Sequence, residues 1–451
     1  MKPFNRREFL KASGAAATLA ATPGLAYSQV VGGVGPFTDY RALVCVFLFG
    51  GNDSFNMLVP RSSAEYDVYA GSRQNLAIPR DDLLPITAAT PDGSLYGLHP
   101  SMAGLQALFG QGRAAFVTNV GPLIEPVTRE TFFDGSATLP PQLFSHNDQQ
   151  DQWNSLRGNA PSKTGWAGRM ADLIRTGVAG QRMATNASLF GANLLQSAEA
   201  TVAYVMGPQG PVQFEGFSND PGSVLYEQRQ AFLRILGADY GSVYERAFAE
   251  VQTRAIEAAD TVTAAIDRAP ILATPFPQSQ LGNQLETVAR LIAVRDELEM
   301  QRQIFFVAAG GFDSHDNQNE DQPGLLGGVS DAIAAFYAAT AELGVAEQVT
   351  TFTQSDFGRT LTSNGDGTDH AWGGNQVVIG GAVRGGDLYG RYPLLAIDGD
   401  DDVGGGRMIP STSADQYAAT LARWFGIADE DLGVVAPHID SFAVRDLGFM
   451  V

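Results

Sequence analysis

Lysine is almost missing from the chain: it occurs only as Lys2, Lys11 and Lys163, so nearly all positive charge is arginine. Schiff-base enzymes and P-loop nucleotidases need a dedicated lysine. The only one past the N-terminus sits in Gly158-Asn159-Ala160-Pro161-Ser162-Lys163-Thr164, where Ser162 replaces the required glycine and no apolar strand run precedes Gly158. Cysteine is scarcer still. Cys45 is alone, which excludes a disulfide within the chain, and its place in the apolar run 43–48 marks it as a small buried hydrophobe. Cations are outnumbered 29 to 49, giving a net charge of −20 over 451 residues. A general nucleic-acid role is excluded, because phosphate backbones need a cationic surface. Gly-x-Ser-x-Gly is absent, which disfavours a nucleophile-elbow hydrolase. Gly32-Gly33-Val34-Gly35 precedes the first strand instead of following it, so dinucleotide binding is weakly supported. Beyond the N-terminal segment no apolar run reaches the roughly 20 residues that cross a bilayer, and no stable membrane span is expected there.

What is present begins with an address. Asn5-Arg6-Arg7-Glu8-Phe9-Leu10-Lys11 leads into an Ala-rich, weakly apolar stretch and then Pro23-Gly24-Leu25-Ala26. A paired arginine, an apolar residue shortly after and a modest apolar region ending in small residues form a twin-arginine export signal, residues 1–28, with cleavage expected near 26–28. The expected partner is the twin-arginine export machinery and the expected location the periplasm. Removing the signal's net +3 from −20 leaves about −23 on the mature chain.

Residues 29–451 read as one α/β domain. Buried strand runs at 43–49, 114–120, 303–309, 349–352 and 375–379 alternate with helical patterns at 101–109, 145–153, 284–299, 325–343 and 413–425. Residues 121–143, rich in Pro, Thr and Gly, read as loop. Residues 184–274 change character to short β-like pieces at 201–205 and 212–217 and long Ala/Glu/Arg helices over 223–269, the pattern of a peripheral insertion. The alternation predicts three layers, a mostly parallel central sheet with helices on both faces. Sites in such sheets lie outside the carboxyl ends of the strands.

Asp53, Asp313, His315 and Asp356 fall at such ends, and His370 lies in a glycine-rich loop. Imidazoles with carboxylates and no thiolates suit Zn²⁺ or Mn²⁺. Ser145, at an expected helix N-terminus, is the natural nucleophile, although it would equally serve as a cap. His146 stands beside it as an alternative ligand or base. Asp53 with Ser54 could close a turn, Asp313 with His315 could be a loop pair, and Arg359 could bind an anion or pair with Asp356. His99 and His438, each flanking a proline, read as structural.

Leu48-Phe49-Gly50-Gly51-Asn52-Asp53, Leu98-His99-Pro100, Ser145-His146 with Gln149-Gln150-Asp151-Gln152-Trp153, Gly311-Phe312-Asp313-Ser314-His315, Ser355-Asp356-Phe357-Gly358-Arg359-Thr360 and Asn364-Gly365-Asp366-Gly367-Thr368-Asp369-His370 together resemble the domain-of-unknown-function 1501 family, from about residue 40 to the C-terminus. That family is assigned to the alkaline phosphatase and sulfatase superfamily. The resemblance implies an alkaline phosphatase-like sheet, one metal held by Asp313, His315 and His370, a second by Asp53 and Asp356, Ser145 as nucleophile and Arg359 on the substrate's oxygens. The chain departs from the superfamily at Phe357, where phosphatases usually place a histidine, and in its short Asp313 to His315 spacing. One or two ions are therefore expected, with His146 able to replace a missing ligand. The function implied is a metal-dependent hydrolase or transferase of a small phosphate or sulfate ester. The alternative is a non-catalytic periplasmic binding or assembly module with a degenerate site. Metal ligation would also turn an acidic cleft into one that accepts anions.

Overall fold

The computed structural model describes residues 35–211 and 216–451. The export signal lies outside the described residues, as do residues 212–215 of the expected strand at 212–217.

Among the described residues, twelve strands form two sheets. In chain order they are β1 (Arg41–Leu48), β2 (Leu58–Pro60), β3 (Leu84–Ile86), β4 (Tyr96–Leu98), β5 (Ala114–Gly121), β6 (Asn186–Ser188), β7 (Tyr204–Val205), β8 (Arg302–Ala309), β9 (Val349–Ser355), β10 (Gly374–Gly380), β11 (Leu388–Tyr389) and β12 (Thr412–Ser413). The central sheet has the order β11-β5-β10-β9-β1-β8-β6-β7, with β12 also on β5, and β2-β4-β3 make a small antiparallel sheet. β1 lies parallel to both β8 and β9. β10 alone runs against its neighbours β5 and β9.

Alternation along β1 explains the layers. Ala42, Val44, Val46 and Leu48 face a core shared with helices Ala103–Gly110, Gln280–Ala293 and Gln318–Glu342. Leu43, Cys45 and Phe47 face the opposite core, with helices Trp166–Ile174 and Ala414–Phe425. A strand buried on both faces has no polar side to display, which is why its sequence reads as a continuous apolar run. Each such large side chain stabilises the fold by roughly 1.5–3 kcal/mol. Cys45 is fully buried, as expected, and burial pushes its thiol up, away from reactivity.

The structure adjusts several expected boundaries. Helix Gln280–Ala293 starts where the Ser279 side chain accepts from the Gly282 N–H, four residues before the expected start. Helix Gln318–Glu342 begins seven residues early and runs through Pro323. Proline ordinarily stops a helix; here the turn before it is held by Gln318 and Gln322, both bonded to Asp53. By length and composition this helix could span a membrane, contrary to the expectation of no such run, yet Leu326, Val329, Ile333 and Phe336 bury it in the main core. The expected loop at 121–143 contains helix Arg129–Phe133, closed by a capping box between Thr128 and Thr131. The expected insertion is not wholly peripheral: β6 belongs to the central sheet beside β8. Helices Val224–Leu236 and Val243–Ile266 pack on each other around Leu236, Ala249 and Ile256, and join the main core through Val262 and Ile266.

Candidate metal centre

Three adjacent parallel strands deliver the site from one edge. β9 ends at Ser355, directly before Asp356; β8 ends at Ala309, four residues before Asp313; β1 lies between them and ends in Phe49-Gly50-Gly51. Gly51 has φ +87°, and a Cβ there would stand 2.3 Å from the Phe357 ring. Gly50 approaches as closely: a Cβ would meet the Asp313 nitrogen at 2.3 Å. Only glycine permits this convergence. Because β10 is antiparallel, the loop before it, carrying His370, arrives at the same edge as the carboxyl ends of β9 and β1. Helix His146–Ser155 supplies His146 from the first turn.

His146, Asp313 and His370 each offer a ligand atom within 4.8 Å of the others; His146 Nε2 lies 3.4 Å from Asp313 Oδ2 and His370 Nε2 3.2 Å from Asp313 Oδ1. Each ring is anchored from behind. His146 Nδ1 lies 2.6 Å from Asp356 Oδ2, and His370 Nδ1 lies 2.8 Å from the Phe144 carbonyl. A carboxylate and a peptide carbonyl only accept, so both Nδ1 atoms are the donors of these bonds, and the Nε2 edges of both rings turn toward Asp313. Phe144 holds its carbonyl in place with φ +73°, an uncommon conformation for a bulky residue. Phe357 is buried and packs beneath the pair, its ring centroid 4.6 Å from His370 and 4.9 Å from His146.

Asp313 is held by Arg359, whose Nη1 donates to Oδ1 at 2.6 Å and to the Gly50 carbonyl at 3.1 Å. Partial burial opposes ionisation of Asp313, but the Arg359 hydrogen bond and charge, with His315 and His146, hold its carboxyl below the usual range. Burial, with the charges of His146 and Arg359, lowers His370, against the Phe144 carbonyl and Asp313. His315 stands beside the trio: its Nε2 is 2.9 Å from His370 Nε2 and 3.1 Å from Asp313 Oδ1, and its Nδ1 is 3.3 Å from Asp369 Oδ1. Two imidazoles and a carboxylate within reach of one another, with no thiolate, are a donor set that suits a divalent transition metal. The residues present therefore fit the implied ion.

Six of the expected site residues are brought together: His146, Asp313, His315, Asp356, Arg359 and His370. Four of the expected residues do not turn toward an open ligand position. Asp53 does not face the trio; its carboxylate is buried with Arg73 and Gln318, where it accepts from both. Ser145 occupies the N-cap position of its helix but makes no capping bond, and its hydroxyl donates instead to Asp148 Oδ2 at 2.6 Å. Arg359 has no exposed side-chain surface and is occupied by Asp313, Gly50 and Thr368, so its guanidinium does not reach outward to a substrate. Asp356, also fully buried, lies behind His146 and not at the open face. Sequence reasoning missed the roles of Arg73, Gln318, Gln150, which donates to Asp356 Oδ2 at 2.8 Å, and the Phe144 carbonyl. Gln150 and Asp369 lie inside the quoted motifs and were visible there; Arg73 gave no signal, being an ordinary last-turn helix residue.

The profile of the family described as Protein of unknown function (DUF1501) matches residues 40–431, and that of the twin-arginine translocation pathway signal sequence matches residues 3–23. No curated protein matches the chain. Among solved structures it is similar to the PsFucS1 sulfatase from Pseudoalteromonas sp., at 12% identity over 99% of this chain and 77% of that one with a TM-score of 0.32. It is also similar to BT1596, a 2-O GAG sulfatase, at 9% identity over 86% and 71% of the two chains with a TM-score of 0.30. Similarity this weak leaves the site to be read from its own atoms.

Proposed function

The chain belongs to the DUF1501 family and carries a twin-arginine export signal, and from that premise we propose an exported, metal-dependent hydrolase or transferase of small phosphate or sulfate esters. The observation that carries this reading is the convergence of His146 Nε2, Asp313 and His370 Nε2 at an open strand edge. A divalent ion bound there, Zn²⁺ or Mn²⁺ by donor type, supplies Lewis acidity toward an ester oxygen.

The chain's own charges say why an ion is needed. Asp313 and Asp369 present half-exposed carboxylates at the mouth, while the Arg359 guanidinium is buried beneath Asp313 and that of Arg407 is turned to the His370 carbonyl and the Phe144 ring. Without a cation the mouth repels an anionic ester. Asp356 holds the His146 ring in one tautomer, the Phe144 carbonyl does the same for His370, and Arg359 fixes the Asp313 carboxylate. Phe357 closes the floor beneath both rings and excludes water from that side. The pre-set geometry removes the reorganisation that ion and substrate would otherwise impose.

The test is a panel of phosphate and sulfate esters offered to the metal-loaded protein. Turnover that disappears on chelation and returns with Zn²⁺ or Mn²⁺ is expected. Protein that purifies without transition metal and cannot be reconstituted overturns the reading. Tight metal binding with no turnover on any ester leaves the binding or assembly module instead.

A further inference from the structure

The resemblance allows one ion or two. The geometry points to one: His146, Asp313 and His370 hold a single divalent cation, the guanidinium of Arg73 takes the place of a second, and Asp356 is a positioning residue for His146. This inference rests on the metal reading of the site.

A second ion would need anionic ligands of its own, and the two carboxylates that the resemblance assigns to it are Asp53 and Asp356. Asp53 already has a cation. Its Oδ2 accepts from Arg73 Nη2 and from Gln318 Nε2, and the Arg73 side chain has no exposed surface. Arg73 is fixed on its other side by donating from Nη1 to the Thr360 carbonyl at 2.8 Å. A divalent ion on the same carboxylate would face a buried guanidinium with no solvent to screen the repulsion. Asp53 Oδ1 is buried without a partner, as is Asn52 Oδ1, but one carboxylate oxygen and one amide oxygen are a poor set for a transition metal.

Asp356 is committed elsewhere. Oδ1 accepts from the Gly50 N–H at 3.2 Å, and Oδ2 from His146 Nδ1 at 2.6 Å and Gln150 Nε2 at 2.8 Å. The imidazole of His146 stands between it and Asp313, since the opposite ring nitrogen is 3.4 Å from Asp313 Oδ2. That is the carboxylate–histidine–metal order, in which the carboxylate fixes the ring and raises its basicity without touching the ion.

The experiment strips the exported protein of metal, titrates it with Zn²⁺ by calorimetry, and counts retained zinc by elemental analysis after gel filtration. One equivalent per chain is expected. Asp53→Asn should keep one equivalent at an affinity within a few-fold of the parent. Asp356→Asn should also keep one equivalent, at about 10–100-fold weaker affinity. His370→Ala should bind none. Two equivalents in the parent, falling to one in Asp53→Asn or Asp356→Asn, overturn this inference and leave the metal-dependent reading standing. No bound zinc in the parent overturns both. The parent count decides the matter even where a variant fails to fold.

Discussion

The imidazole of His146 and the carboxylate of Asp356 meet at 2.6 Å across 210 residues of sequence, with Asp356 sealed from solvent and the opposite ring nitrogen at the open mouth. Ser145, one residue away, turns its hydroxyl to Asp148. We expect His146→Ala to abolish ester turnover and to lose bound zinc. Ser145→Ala should keep turnover within a few-fold. A Ser145→Ala protein that is folded, metal-loaded and inactive would restore the serine as nucleophile and refute this division of roles.

Arg73 and Asp53 form an ion pair with essentially no solvent exposure. Breaking such a pair leaves an uncompensated buried charge and costs about 3–5 kcal/mol, whereas removing both partners costs much less. Arg73→Met alone should therefore lower stability strongly in urea unfolding, and Arg73→Met with Asp53→Asn should recover part of the loss. Additive effects in that double-mutant cycle would show that the pair is not coupled.

Gly51 combines φ +87° with a close approach to Phe357, the residue under both metal-facing imidazoles. Gly51→Ala adds backbone strain and a clash of about 2–4 kcal/mol together. Since the ring has to move to accept the methyl group, zinc affinity should fall along with thermal stability. Unchanged zinc affinity would mean that Phe357 plays no part in holding the rings.

Asp415 is buried in the first turn of helix Ala414–Phe425, and burial, outweighing the His438 backbone N–H and the Arg169 charge, pushes its pKa up to about 7. A raised carboxyl binds its proton more tightly in the folded chain than in the unfolded one. Its contribution is complete below pH 4 and is lost as pH rises toward about 7. His99 runs the other way: burial lowers it to about 4, against the nearby Asp53 charge, so its contribution is present above pH 6.5 and is lost as pH falls toward 4. Asp415→Asn should remove the decline with rising pH and leave a protein whose stability climbs from pH 4 to 6.5, by calorimetry or denaturant titration. An unchanged pH profile would show that Asp415 ionises normally.

Much of the fold could be read in advance because strands buried on two faces must be apolar throughout. β1, β5 and β8 were recognisable within two residues for that reason. The first turns of Gln318–Glu342 carry no periodic signal, because their glutamines are bonded to a distant aspartate. Six site residues could be named because Asp and His at strand ends and in glycine-rich loops are chemically conspicuous. Their assignment to roles could not, because Asp53 and Asp356 sit in alike positions after their strands and differ only in which side chains reach them.

The sequence by itself determined the export route, the mostly parallel α/β architecture, the inert cysteine and the identity of the titratable cluster, all of which depend on local pattern and residue type. Only the tertiary structure decided who faces whom. The reversal of β10 brings His370 to the edge where β8 and β9 end, Gly50 and Gly51 let three strand ends close together, and a helix residue 20 positions on neutralises Asp53 while His146 claims Asp356. Those outcomes are set by distances across the sheet edge, and charge interactions at such distances depend on folded geometry, which composition and spacing do not encode.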